Sequence, residues 1–186
     1  GPVAERMASG ELSSSWGARH WAKALVELGN SSKADSVLAK ELAQRPNAED
    51  ADSLAIIRAH AQTSAGRPRD ALRMLVGFER TYPLSERTRE VWRLIADVSF
   101  DLKSYSAAID HYRKVLNVDP SNRGARLGVL TTLYRLGRTS EAVALRNELE
   151  RELTFSPEET VRLSYEGGQA LWRNRQYHEA IDQFQT

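Results

Sequence analysis

Prolines at positions 46, 83, 120 and 157 follow one another at an unvarying interval of 37 residues. A fixed spacing of this size marks a repeat architecture, in which one supersecondary unit recurs and buries its apolar faces against its neighbours. A second ruler agrees with the first. Ala34, Ala71, Ala108, Ala142 and Ala180 each sit in a short run of the type Glu141-Ala142-Val143, and each follows a turn signal by a few residues. Five segments therefore superimpose. With no cysteine the chain has no disulfide framework, thiolate nucleophile or cysteine-ligated zinc. Its 186 residues are enough to bury a sizeable core without them.

Within each segment, large apolar residues recur at spacings of three and four, which is the pattern of two amphipathic helices. Gly29, Gly66 and Gly137 fall between the first and second helix of a copy, where a residue tolerating positive φ ends a helix. Lys103 and Arg175 replace glycine there in the third and fifth copies. Pro68 opens a second helix at a position where its missing N–H costs nothing. Ser156-Pro157-Glu158-Glu159 reads as an N-cap, an N1 proline and a capping-box acid.

The clearest copy runs from Arg89 to Asn122, with Trp92, Ala96, Tyr105, Ala108, Tyr112 and Pro120 as its landmarks. It resembles the tetratricopeptide (TPR) repeat, a helix pair with tryptophan and a small residue on helix A, alanine and an aromatic on helix B, and a closing proline. In that register the copies start near residues 15, 52, 89, 123 and 161, covering about 13–186. Arg126 and Ser164 depart from the pattern where it has tryptophan, Leu130 where it has a small residue, and Arg146 where it has an aromatic. The resemblance implies an all-α, right-handed α-α superhelical solenoid, with Trp21, Leu25, Trp92, Ile95 and Leu133 in the core. It also implies a non-catalytic scaffold that binds a protein or peptide segment in a concave groove lined by the A helices. Carried over residue by residue, the groove is Trp16, Arg19, Lys23, His60, Arg93, Asp97, Phe100, Tyr134, Tyr165, Gln169 and Trp172. The resemblance further suggests, by analogy, a parent protein in an envelope or exopolysaccharide export assembly.

Other chemistries find little in the residues. His20, His60, His111 and His178 lie in four different copies without ligand spacing, so no metal or cofactor is expected. Gly167-Gly168 lies inside a helix with no strand before it, which points to close helix packing instead of a phosphate loop. The carboxylates are spaced as solvated helix faces, and an enzyme is not expected. With 26 basic against 25 acidic residues, no excess charge calls for nucleic acid; RNA binding by a helical repeat is the third-ranked expectation. Mean hydropathy is negative and no apolar run is long enough to span a bilayer. Gly1-Pro2 looks like the remnant of tag removal, and 1–12 are expected to be leader or the end of a preceding helix. The compartment stays open between bacterial periplasm and cytoplasm, and the export analogy favours periplasm. Since the fifth copy stops short at Thr186, Leu171, Ile181 and Phe184 are expected at an exposed apolar end. Homo-oligomerisation through terminal repeats is therefore the competing expectation.

Overall fold

The computed structural model describes residues 15–185, and no side-chain statement extends to Ser15 or Trp16. The expected leader at 1–12 lies outside this range. The described residues form helices joined by turns, with no strand among them. In chain order the helices are α1 (Ser15–Glu27), α2 (Ser31–Gln44), α3 (Ala51–Ser64), α4 (Pro68–Val76), α5 (Phe78–Thr81) and α6 (Thr88–Asp101). They continue with α7 (Tyr105–Val118), α8 (Arg123–Leu136), α9 (Thr139–Glu152), α10 (Pro157–Arg173) and α11 (Tyr177–Phe184). Two compact units divide after Leu102, so the boundary falls inside the third copy, between its two helices.

The first unit holds α1–α6 around two apolar clusters. One is built from Ala22, Leu25, Ala34, Leu38, Leu54, Ile57 and Ala61, with Trp21 and Val37 packed at its edge. The other joins Ala55, Ile56, Ala59, Ala71, Leu75, Phe78, Val91, Leu94, Ile95 and Val98. Helix α3 contributes to both and is buried over most of its residues, as a helix with packed neighbours on two sides must be. The second helix of this copy, opened by Pro68 as expected, is interrupted: α4 stops at Val76 and α5 restarts at Phe78. The break falls at Gly77, a weak helix former. It lets Phe78, 2% exposed, turn into the core, where its ring meets Tyr82 at 5.0 Å between centroids.

The second unit packs α7–α11 around Ile109, Tyr112, Leu130, Leu133, Leu149, Leu163 and Leu171. Here glycine makes close approach possible. A Cβ on Gly128 would stand 2.4 Å from the Tyr112 ring, and one on Gly168 would stand 2.4 Å from Phe184. The expectation of close packing at Gly167-Gly168 holds, since a Cβ on Gly167 would likewise stand only 3.1 Å from the Tyr134 ring.

All five alanines that set the repeat frame are 0% exposed. Gly29, Gly66 and Gly137 have φ of 76°, 75° and 72°, while Lys103 and Arg175 adopt 61° at the equivalent turns. A side chain in the left-handed region costs about 1–2 kcal/mol, partly offset by the extra chain entropy that glycine loses on folding. Lys103→Gly and Arg175→Gly are each expected to raise stability by about 0.5–1 kcal/mol, read as a higher urea midpoint with unchanged m. The Ser156 capping box is formed, with the Ser156 side chain accepting from Glu159 N–H and the Glu159 carboxylate accepting from Ser156 N–H. Pro68 occupies the first turn of α4.

Candidate functional site

Helices α1, α3 and α6 present the A-helix residues of the first unit. Arg93 on α6 donates to Asp97 at 2.9 Å, an i,i+4 pair on the helix surface. Arg87 donates to Glu90 at 3.0 Å. His60 on α3 is solvent-exposed, yet it lies low enough among its neighbours that burial lowers its pKa below the ordinary histidine value. Glu90 and Asp97 oppose that shift, while Arg93 and Lys23 reinforce it. The imidazole thus lies within electrostatic range of charged groups on both α1 and α6. Lys23 is exposed and Arg19 half-buried on α1. Phe100 is half-buried beyond Asp97.

The corresponding face of the second unit comes from α8 and α10. The rings of Tyr165 and Trp172 are 55% and 57% exposed, and Gln169 lies half-buried between them. Tyr177 meets the Trp172 indole edge-on at 4.9 Å, and Tyr165 tilts against Phe184 at 6.5 Å. Tyr134 corrects the groove expectation, because it is 0% exposed. Burial raises its hydroxyl pKa, and its ring faces Gly167 in the packing layer, out of reach of a ligand. The three expected groove residues Phe100, Tyr134 and Trp172 therefore have three different environments: half-buried, buried and exposed. Leu171 is a second correction. It is 2% exposed, and the exposed apolar face of the last two helices is instead Tyr165, Trp172, Tyr177, Ile181 and Phe184. Trp16, the remaining expected groove residue, has its side chain outside the described range.

Sequence reasoning passed over Glu166, a 7% exposed carboxylate on α10 that pairs with Arg135 of α8. The signal available was a buried-position acid one copy away from an unmatched arginine. The departures from the repeat pattern also acquire an explanation. Arg126, at a tryptophan position, bridges Glu148 at 2.9 Å and Glu152 at 2.6 Å. Arg146, at an aromatic position and 5% exposed, is held by Glu150 at 2.6 Å, by Ser164 at 3.2 Å and by Gln183. Arginine takes the place of a ring at each, and its charge is answered by residues that accept from it. Beside Arg126 lies a cleft of about 510 Å³ between α7, α8 and α9, with Leu116, Val129 and Leu145 among its walls.

Among the described residues no group of three His, Asp or Glu side chains could hold a metal ion. No helix among them is long and apolar enough to cross a membrane.

Two family models match the chain. The tetratrico peptide repeat covers residues 19–88, and the TT21 fifth ARM repeats domain covers residues 90–186, which is just over half of the chain. Solved structures share the fold at low identity. The nearly identical TPR-like repeats from Podosopora anserina align at TM-score 0.73 and 14% identity over 90% of both chains. MamA aligns at TM-score 0.67 and 17% identity, over 88% of this chain and 90% of that one. YrrB, a TPR protein with an unusual peptide-binding site, aligns at TM-score 0.68 and 13% identity, over 97% of this chain and 88% of its own. No curated protein sequence matches significantly.

Proposed function

Since the chain belongs to the tetratricopeptide family of helical repeat proteins, we propose that it is a non-catalytic scaffold that holds a segment of another protein across its A helices. The observation that carries this reading is the convergence at His60, where charged groups of α1 and α6 act on an exposed imidazole of α3. A surface that brings mixed charge and accessible hydrogen-bonding groups from three elements together suits recognition of a peptide, and the peptide-binding site of YrrB supports it by analogy. The proposal does not extend to an export assembly, about which neither the family models nor the solved relatives speak.

Chemical cross-linking in a native extract tests the scaffold reading. Wild type is expected to capture discrete partners, and the Arg93→Glu/Trp172→Ala variant is expected to lose most of them. Equal recovery by both proteins overturns the groove assignment.

The exposed face of α10 and α11 favours a second reading, self-association. Trp172, Tyr177, Ile181 and Phe184 are each about half exposed on two adjacent helices, where an apolar patch of this kind commonly meets a partner. Light scattering over a concentration series should show a dimer that Ile181→Glu dissolves. A monomer at every concentration removes this reading.

A further inference from the structure

We propose that the corner formed by Arg19, Lys23 and His60 docks an acidic segment of a partner protein, with Asp or Glu side chains of that segment pairing with Lys23 and Arg19. This deepens the scaffold reading and rests on it. The argument begins with which charges are already answered. On α6 Arg93 is taken up by Asp97, and Arg87 just before the helix by Glu90. On α1, Arg19 and Lys23 stand one turn apart, so both cations lie on the same side of the helix, and neither meets a carboxylate among the described residues. Glu27, a further turn along, makes no salt bridge with Lys23. Like charges at this spacing destabilise a helix, and no ion pair among the described residues offsets the repulsion. A bound carboxylate would.

His60 extends the corner. It lies within electrostatic range of Lys23, and the other charged groups that act on it are Glu90, Arg93 and Asp97 of α6. At neutral pH the imidazole is mainly uncharged and offers a hydrogen bond. On acidification it gains a proton and becomes a third cation, while Asp and Glu side chains of a partner stay ionised down to about pH 4.5. The charge pattern also selects the class of anion. Glu90 and Asp97 act on the same imidazole from α6, so a continuous phosphate backbone crossing the corner would meet carboxylates. A protein segment can place a few carboxylates on the cations and leave neutral residues over the acids.

The test uses the whole chain and a fluorescein-labelled, C-terminally amidated peptide of alternating Glu and Leu, with a Gln-for-Glu peptide and oligothymidylate as references. The amidated terminus leaves side-chain carboxylates as the acids. By anisotropy in dilute salt, the Glu peptide is expected to bind at least about tenfold tighter than the Gln peptide. Lys23→Glu should remove about tenfold of that affinity, and added salt should erode it because these groups are exposed to screening. On acidification from neutral pH, while the peptide carboxylates remain ionised, the Glu peptide should tighten for wild type and not for His60→Gln. Lys23 is exposed, so its variant should keep the wild-type circular dichroism spectrum. Equal binding of Glu and Gln peptides overturns the acidic inference and leaves the scaffold reading standing. Unchanged affinity in Lys23→Glu, no binding of the Glu peptide, or tighter binding of oligothymidylate overturns the inference as well.

Discussion

Gly128→Ala is expected to cost about 2–3 kcal/mol, a large loss for the change of one hydrogen to a methyl group. The added Cβ would stand 2.4–2.7 Å from three atoms of the Tyr112 ring, well inside contact distance. Tyr112 is 4% exposed, so the ring has no open side to move toward. The strain must pass into the backbones of α7 and α8. Urea denaturation followed by circular dichroism should show the loss as a lower midpoint. Tyr112→Leu in the same background should recover part of it, because removing the ring makes room for the methyl group. Equal and additive losses from the two substitutions would show that the ring contact is not the cause.

The second large effect is expected at Asp35. This carboxylate is 6% exposed and accepts from Arg58 at 2.7 Å, from Arg67 at 2.8 Å and from the Gln62 amide at 3.3 Å. It therefore ties α2 to α3 and to the turn before α4. Breaking a buried pair by removing one partner costs about 3–5 kcal/mol when the survivor stays buried. Arg58 and Arg67 have side chains 27% and 41% exposed and regain water in part, which lowers the expected cost of Asp35→Ala to about 2–3 kcal/mol. Asp35→Asn keeps the shape and loses the charge, so it should fall between wild type and the alanine variant. Exposed pairs give the contrast. Asp70→Ala, which removes a partner of Arg73 that is itself 80% exposed, should change stability by less than about 0.5 kcal/mol.

These two sites differ in how far the sequence reveals them. The repeat frame was legible because it rests on residues whose role is local: alanines where helices touch, residues of positive φ where they turn, proline where they start. Gly29, Gly66 and Gly137 take the conformation that their place in the pattern requires, and Lys103 and Arg175 follow them into it without glycine's freedom. The contacts of Asp35 are not legible, because Arg58 and Arg67 are charged residues more than 20 positions away and only the fold selects them as partners. The same holds for Glu166 with Arg135. The break at Gly77 escapes pattern reading since the apolar spacing carries on through it to Phe78.

The site shows the same division. The family register brought Lys23, His60, Arg93 and Asp97 to one region, and their mutual electrostatic influence at His60 is what that register implies. It misplaced Tyr134, because position on a helix gives direction but not depth. The ring at that position follows the space that the next copy leaves. Gly167 leaves enough for a tyrosine to sink completely. Trp172, at the matching place in the last copy, has no such glycine over it and stays in solvent.

Helix α3 carries a consequence for how the first unit comes apart. Its Leu54 and Ile57 belong to one apolar cluster and its Ala55, Ile56 and Ala59 to the other, so neither cluster outlives the helix. Fraying can begin at α1 or α6 without disturbing the opposite cluster, but opening α3 exposes both together. Its backbone amides should accordingly be the slowest in the first unit to exchange with deuterium, opening only with the unit as a whole, while those of α1 and the short α5 exchange through smaller local excursions.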